Sequence, residues 1–231
     1  MKAYNVGDYN FGIILYRETG LDKINAPERL EKVLKNSNHE YFRWKEALVG
    51  YNESKPDYRD CVDLKMSPLH WHLLTPEFEE IKNVYEETES IIKSCLLDYE
   101  KRFNIKMEYM EAINFIRYEI GQHFQVHSDD GFSYSCTVSS VAYFNDEYEG
   151  GELWLPQQEI TFKPQKGDVI LFPSNYMYSH ASLPVIDGVK YSAVTMFDYN
   201  DRTHVLDKDI SSNVPKEEDI EKAKNLKLKE I

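Results

Sequence analysis

A succession of short apolar segments fills the second half of the chain, and this pattern restricts the fold more than any other feature. After Ile105, segments rich in β-branched and aromatic side chains alternate with Gly, Asp, Asn and Pro. They lie at 112–119, 124–128, 136–144, 152–155, 159–163, 168–173, 179–185 and 190–198. Evenly spaced short strands with turn residues between them are typical of a β-sandwich or barrel.

Helical patterns come before these segments. Apolar residues at helical spacing predict a short helix over 26–36. A longer helix is predicted to begin at Thr75, whose hydroxyl can cap free N–H groups, with Pro76 at the first helical position. Apolar residues then recur every three or four positions up to Phe103, and the opposite face is rich in Glu and Lys. This amphipathic helix should cover a large apolar surface.

The predicted organisation is a single domain over 1–231 that is mainly β with supporting α-helices. A chain of 231 residues suits one large domain. Within it we expect helical support and a substrate-loop region over 1–108, a strand-rich core over 109–204, and a polar tail over 205–231 that lacks a strand pattern.

Charge and cysteine content narrow the classes of partner. The formal net charge of −13 argues against nucleic acid as a partner, although a local basic groove would be compatible with such binding. Cys61, Cys95 and Cys136 are widely spaced and form no CxxC pair. This argues against a disulfide framework or a zinc ribbon and fits a cytoplasmic protein. No apolar run approaches 18 residues, and the N-terminus does not resemble a signal peptide, so no membrane partner is expected.

Three residues form a candidate metal centre. His127 and Asp129 follow a predicted strand at a spacing of two, which places both side chains on one face. His180 follows the predicted strand at 168–173 and a turn segment, so it can supply a third ligand. Two His and one carboxylate make the facial triad of non-haem iron(II), which leaves three coordination positions open.

Two further residues suit an anionic ligand of such a metal. If a dicarboxylate chelates the metal at one end, its other carboxylate reaches further into the barrel. Lys190, ten positions after His180, can pair with that group as a buried cation. Tyr143, at the inner end of the strand predicted at 136–144, is the natural second donor.

The same residues and their surroundings resemble the prolyl 4-hydroxylases. The similarity covers about residues 112–199, and four segments follow the family's order: YEIGQHFQVHSDD, VAYFNDEYEGGELWL, FKPQKGDVILFPS and HASLPVIDGVKYSAVTMF. A lone His-x-Asp pair would be a weak signal, whereas four ordered segments are a strong one. Met196 departs from the family, which commonly has an aromatic residue there, and this concerns the shape of one pocket wall.

The resemblance implies a double-stranded β-helix (jelly-roll) core that binds iron(II) and 2-oxoglutarate. His127, Asp129 and His180 fall on the family's metal positions. Lys190 and Tyr143 fall on its positions for the distal carboxylate of 2-oxoglutarate, and Tyr118 and Leu153 on positions that line the cosubstrate pocket. The implied activity is that of a 2-oxoglutarate-dependent dioxygenase, which uses O₂ and converts 2-oxoglutarate into succinate and CO₂. Ascorbate is a further candidate cofactor.

Other polar features have simpler interpretations. His70 and His72 flank Trp71 without a carboxylate at useful spacing, and we expect a structural turn there. His123 is expected to pack near the site without binding the metal. Gly150 and Gly151 permit positive φ and a close backbone approach at a barrel bend.

The sequence leaves the substrate open. The leading hypothesis is hydroxylation at C4 of prolyl residues in a peptide or protein, held by loops at 39–66 and 128–136. The alternatives are the same chemistry on a free amino acid, another side chain or a small metabolite, because substrate loops vary while the barrel does not. A hypothesis of another class is a non-catalytic metal-binding β-barrel. Lys190 and Tyr143 argue against it, since such a barrel needs no dicarboxylate clamp.

Overall fold

A computed structural model describes residues 1–7, 11–49, 53–131, 134–202 and 204. The regular elements of these residues are two α-helices, five short 3₁₀ helices and sixteen strands, whose pairings are antiparallel. The helices are α1 (Ala26–Leu34) and α2 (Glu79–Phe103). The strands are β1 (Lys2–Asn5), β2 (Ile14–Arg17), β3 (Lys45–Glu46), β4 (Arg59–Asp60), β5 (Val62–Lys65), β6 (Tyr109–Met110), β7 (Asn114–Tyr118), β8 (His123–His127), β9 (Val138–Tyr143), β10 (Tyr148–Gly150), β11 (Leu153–Leu155), β12 (Ile160–Phe162), β13 (Val169–Pro173), β14 (His180–Ser182), β15 (Val185–Gly188) and β16 (Lys190–Asp198).

The strands form two principal sheets. The larger, here called the major sheet, has the order β1-β2-β13-β9-β16-β7-β5-β3, and β6 also pairs with β16. The smaller, called the minor sheet, has the order β12-β11-β14-β8-β4. Side chains from both sheets meet in one apolar cluster that includes Val141 and Tyr143 of the major sheet and Leu153 and Leu155 of the minor sheet. The predicted fold class, mainly β with supporting helices, is confirmed.

The outer face of the major sheet is covered by the two helices. Ile81, Val84 and Ile92 of α2 are fully buried in a cluster with Phe115 and Ala193 of the sheet. A fully buried side chain of this size contributes about 1.5–3 kcal/mol. The predicted role of the long helix, covering a large apolar surface, therefore matches its position.

The start of that helix differs from the prediction. Pro76–Phe78 forms one 3₁₀ turn, and the α-helix begins at Glu79. Thr75 precedes the 3₁₀ turn and makes no capping hydrogen bond through its side chain. Proline at the first position suits the 3₁₀ turn as well as an α-helix, so the sequence signal was correct for a helical start and wrong for its type.

Residues 1–108 also supply five strands of the sheets. β1 and β2 extend one end of the major sheet, while β5 and β3 extend the other and β4 joins the minor sheet. β3 and β4 have two residues each, too few to show an alternating pattern in the sequence. β10 and β15, which pair with each other, were also not resolved as separate strands by the apolar pattern.

Contacts within the chain define a compact unit over Met1–Asn200 and a second unit over Asp201–Ile231. The tail predicted at 205–231 lies outside the described residues. Among the described residues, no helix has the length and apolar character needed to cross a membrane. Cys61, Cys95 and Cys136 are buried free thiols.

Candidate active site

Two neighbouring strands of the minor sheet bring the predicted metal ligands together. His127 is the last residue of β8 and His180 the first of β14, and the two are register partners. Asp129 follows β8, and its carboxylate oxygens lie 3.5 Å from His127 Nε2 and 3.8 Å from His180 Nε2. The three residues offer ligand atoms that all lie within 4.8 Å of one another. No other group of His, Cys, Asp or Glu in the described part of the chain has this geometry.

Backbone carbonyls orient both imidazole rings. His127 Nδ1 lies 2.8 Å from the carbonyl oxygen of Gln125, and His180 Nδ1 lies 3.1 Å from that of Tyr178. A carbonyl oxygen only accepts, so the proton of each neutral ring resides on Nδ1 and the lone pair on Nε2. Both Nε2 atoms face Asp129, and each ring is therefore prepared to bind a metal through Nε2.

Burial and charge set the protonation of two ligands. Burial lowers the pKa of His180 to about 4, although the charge of Asp129 opposes the shift. Burial alone would raise the pKa of Asp129, but His180, His127 and a hydrogen bond from Ser139 outweigh it and hold the pKa below its ordinary value. A neutral imidazole and an ionised carboxylate are the forms that bind a divalent metal.

A cavity of about 440 Å³ adjoins these ligands and contains the other predicted site residues. Tyr118, Tyr143, Leu153 and Lys190 all line it, together with His127, Asp129 and His180. Alternate residues of two paired strands of the major sheet also line the cavity from one end to the other. They are Tyr118, Ile116 and Asn114 of β7, and Lys190, Ser192, Val194 and Met196 of β16. The Lys190 end and the Val194 end are separated by about 13 Å, four residues of strand.

Lys190 is a buried cation whose described hydrogen-bond partners are neutral. Its side chain is 3% exposed, and Nζ donates to the carbonyl oxygen of Gly151 at 2.8 Å and to Ser182 Oγ at 2.7 Å. Among the described residues, no carboxylate lies within 4 Å of it. Burial lowers the pKa of Lys190 to about 7, and Lys163 contributes to the shift. A lysine in this environment suits an anionic ligand, because the negative charge of the ligand would stabilise the protonated amine.

The tyrosines beside Lys190 complete the closed end of the cavity. The Lys190 Nζ atom lies 5.0 Å from the ring centroid of Tyr118 and 5.5 Å from that of Tyr143. Burial holds the pKa of both tyrosines well above its ordinary value, so each hydroxyl keeps its proton and can donate. Leu153 is buried, and its register partner across the minor sheet is Ser182.

Two partners of Lys190 were absent from the sequence prediction. Ser182 stands two positions after His180 on β14, and the Gly151 carbonyl belongs to the glycine pair at a bend. Gly150 and Gly151 have φ of +71° and +64°, as expected for that bend. A Cβ on Gly150 would lie 2.3 Å from the carbonyl oxygen of Pro184. The resemblance offered no motif for Ser182, because its role arises from strand pairing.

Only part of the segment 39–66, which was expected to form a substrate loop, lines the cavity. Leu48, Val49, Tyr58, Arg59 and Lys65 line it. Other aromatic residues of the segment pack elsewhere: Phe42 is fully buried against Phe78, and Trp44 lies under the guanidinium of Arg117. From the second expected loop, Ser128, Asp129 and Tyr134 line the cavity.

His70, His72 and His123 are not part of the metal-ligand group. His70 and His72 belong to a 3₁₀ turn over Pro68–Leu73 that begins at Ser67, which confirms the predicted structural turn. His123 is half-buried, and its ring nitrogens face the carbonyl oxygens of Gly121 and Asp57 at 3.4 Å.

Comparison with known proteins finds a family that matches the part of the chain carrying this site. Residues 113–198 match the family described as "2OG-Fe(II) oxygenase superfamily". A PKHD-type hydroxylase from Rippkaea orientalis is 27% identical over 141 residues, which cover 54% of this chain and 61% of that protein. A protein of Arabidopsis thaliana named "Probable prolyl 4-hydroxylase 11" is 35% identical over 86 residues, 32% of this chain and 30% of that protein.

A solved structure supports the fold. The prolyl hydroxylase from Trichoplax adhaerens, determined with a peptide fragment of the hypoxia inducible factor oxygen degradation domain, superposes with a TM-score of 0.62 at 15% identity. The match covers 81% of this chain and 84% of that one. The jelly-roll core and the resemblance to prolyl 4-hydroxylase-like oxygenases are thereby confirmed. The chain spans less than two thirds of the length of the curated relatives named here.

Proposed function

We propose that this chain, whose residues 113–198 match the 2OG-Fe(II) oxygenase superfamily, is an oxygenase that hydroxylates prolyl residues at C4 within a peptide or protein. One observation carries the proposal: a His-Asp-His group lines the same cavity as a buried lysine that, among the described residues, has only neutral hydrogen-bond acceptors. Iron(II), 2-oxoglutarate and O₂ are the reactants that the superfamily implies, and ascorbate stays a prediction.

His127, Asp129 and His180 would hold the metal. The donor set fits iron(II), since two imidazole nitrogens and one carboxylate occupy one face and leave room on the cavity side. Bound iron(II) would supply the activation of O₂ that couples oxidation of 2-oxoglutarate to succinate and CO₂ with hydroxylation of the substrate. The protein's own contribution is the fixed Nδ1–H tautomer of both rings, which keeps Nε2 of each directed at the metal.

Lys190 would bind the distal carboxylate of 2-oxoglutarate. Its Nζ already uses two neutral acceptors, Gly151 and Ser182, which hold the ammonium group in place without neutralising it. Tyr143 and Tyr118 would add hydroxyl donors beside it, because burial keeps both protonated. Leu153 would form an apolar wall for the carbon chain of the cosubstrate.

The open end of the cavity favours a neutral chain segment over a free amino acid. Arg59 lies 3.3 Å from Asp63 through Nη2, and Lys65 lies 3.0 Å from Glu111. These ion pairs neutralise the other described cations that line the cavity. The ammonium and carboxylate of a free amino acid would find no uncompensated partner there, whereas a residue inside a polypeptide carries neither charge. The name of the Arabidopsis thaliana relative, a probable prolyl 4-hydroxylase, supports the same reaction, and the Rippkaea orientalis relative is named a hydroxylase.

Two measurements test the proposal in sequence. Succinate formation that needs both iron(II) and 2-oxoglutarate establishes the cofactor chemistry, and its absence would favour the non-catalytic barrel. A proline-rich peptide and free proline at equal concentration then compete, with products identified by mass spectrometry. We expect 4-hydroxyproline in the peptide. Product confined to free proline, or to residues other than proline, would overturn the prolyl assignment and leave the oxygenase chemistry intact.

A further inference from the structure

A chain of two buried hydroxyl groups leads to the carboxylate of Asp129. Ser139 Oγ lies 2.5 Å from Asp129 Oδ2, and Ser174 Oγ lies 2.8 Å from Ser139 Oγ. Both serines are 1% exposed. Ser139 belongs to β9, and Ser174 directly follows β13, its neighbour in the major sheet. The hydroxyl chain thus connects the major sheet to a ligand positioned by the minor sheet.

The direction of each hydrogen bond follows from the valence of the groups. The Ser139 hydroxyl donates its single proton to Asp129 Oδ2, which accepts it. Ser139 Oγ then has only lone pairs left for Ser174, and Ser174 must donate to it. The order is therefore Ser174 to Ser139 to Asp129. Each donation makes the next oxygen a better donor, because hydrogen bonds in a chain polarise one another.

Ser174 also holds the backbone that follows Asp129. Its carbonyl oxygen accepts from the backbone N–H of Asp130 at 3.0 Å, and its own N–H donates to the carbonyl oxygen of Thr137 at 3.1 Å. The Asp130 carboxylate in turn accepts from the N–H of Cys136 at 3.2 Å. The backbone position of Asp129 is thus fixed, and the rotation of its carboxylate is the freedom that Ser139 removes.

We propose that Ser139, supported by Ser174, is a positioning residue that reserves one oxygen of Asp129 for the metal. The bond from Ser139 engages one lone pair of Oδ2 and holds the carboxylate plane, which favours Oδ1 as the coordinating oxygen. Oδ1 lies 3.5 Å from His127 Nε2, and Oδ2 lies 3.8 Å from His180 Nε2. This inference rests on the proposed function, since it assumes that Asp129 is a metal ligand. Partners of metal-ligating groups typically change metal affinity about 10- to 100-fold when removed.

The test uses Co(II) as the probe, because its d–d absorption reports both affinity and coordination geometry without turnover. In the full-length protein, Ser139→Ala should raise the Co(II) dissociation constant about 10- to 100-fold and change the intensity of the d–d bands. Ser139→Thr keeps the hydroxyl and should retain the wild-type spectrum. Ser174→Ala should have a smaller effect in the same direction, because Ser139 can still donate to Asp129.

Thr137→Ala is the matched control. Thr137 lies two positions before Ser139, and its hydroxyl also donates to a carboxylate, that of Asp198 at 2.8 Å, away from the cavity lining. The Thr137→Ala variant should bind Co(II) with the wild-type affinity. A dissociation constant for Ser139→Ala within twofold of that of Thr137→Ala would overturn the positioning role.

A further variant separates this inference from the proposed function. Asp129→Ala should abolish tight Co(II) binding, and adding Ser139→Ala to it should cause no further loss. If Asp129→Ala binds Co(II) normally, the metal centre itself is wrong. If Asp129→Ala loses binding while Ser139→Ala does not, only the role of the hydroxyl chain fails.

Discussion

Replacing Lys190 by methionine isolates the role of one buried charge. Methionine retains an unbranched stem of similar length and removes the ammonium group, so the shape of the pocket changes little. In the wild-type protein Lys190 is 3% exposed, with Gly151 and Ser182 as neutral acceptors and no carboxylate within 4 Å among the described residues. We therefore expect Lys190→Met to weaken 2-oxoglutarate binding and to leave metal binding unchanged.

The magnitude follows from the environment of the charge. Losing one partner of a buried, hydrogen-bonded charge pair removes about 2–5 kcal/mol. Tyr143 and Tyr118 remain beside the carboxylate as donors, which places the expected loss in the lower half of this range. The dissociation constant for 2-oxoglutarate should rise about 30- to 300-fold, since each 1.4 kcal/mol corresponds to a factor of ten.

Calorimetric titration of the Mn(II)-loaded protein measures this affinity without turnover. Pyruvate is the control ligand, because it has the same keto-acid end as 2-oxoglutarate and lacks the distal carboxylate. Lys190→Met should lose affinity for 2-oxoglutarate and retain the wild-type affinity for pyruvate. An equal loss for both ligands would show a general disturbance of the pocket, and a loss below threefold for 2-oxoglutarate would place its carboxylate elsewhere. Either result refutes the reasoning.

Three other expectations can be checked directly. Asp129→Ala, like replacement of either histidine ligand, should abolish 2-oxoglutarate turnover with an unchanged circular dichroism spectrum, and near-normal turnover would remove Asp129 from the metal centre. Burial lowers the pKa of Lys190 to about 7, so its protonated fraction falls as the pH rises. Affinity for 2-oxoglutarate should decrease about tenfold between pH 6 and pH 8, whereas Lys190→Arg should show a flat profile in the same titration. Gly150→Ala should melt at least about 2–4 °C below Gly121→Ala. Both positions have positive φ, but only a Cβ at Gly150 meets backbone, the Pro184 carbonyl oxygen at 2.3 Å; equal melting temperatures would contradict this.

The strands of the jelly roll were predictable because their side chains follow a simple rule. Each segment predicted after Ile105 overlaps a strand, since both principal sheets bury apolar side chains and turn residues separate the strands. The candidate ligands were predictable for a related reason: a spacing of two on an extended segment and an ordered motif need no knowledge of the tertiary structure. The structure brings His127, Asp129 and His180 into one group and gives Lys190 no carboxylate partner within 4 Å among the described residues.

What escaped prediction depends on pairing between distant segments. β4 has two residues and exists because Arg59 and Asp60 pair with β8, more than sixty positions away. Ser139 and Ser174 resemble any buried serine in the sequence, and only the pairing of β9 with β13 places their hydroxyls together. The aromatic residues at 39–66 suggested a substrate loop, but Phe42 lies in the core. Composition alone does not distinguish a core aromatic residue from one at a binding surface.

The position of β16 determines when the major sheet can be completed during synthesis of the chain. β16 is the last described strand in the chain, yet it lies in the middle of the major sheet, paired with β9 on one side and β7 on the other. Until the ribosome has released Lys190–Asp198, those two strands have no common neighbour, and the sheet remains in two parts. During synthesis the edges of β9 and β7 that later pair with β16 therefore remain unpaired, and chaperones can bind them. Because Lys190 is the first residue of this same strand, a product of premature termination would lack both the completed sheet and the cosubstrate lysine.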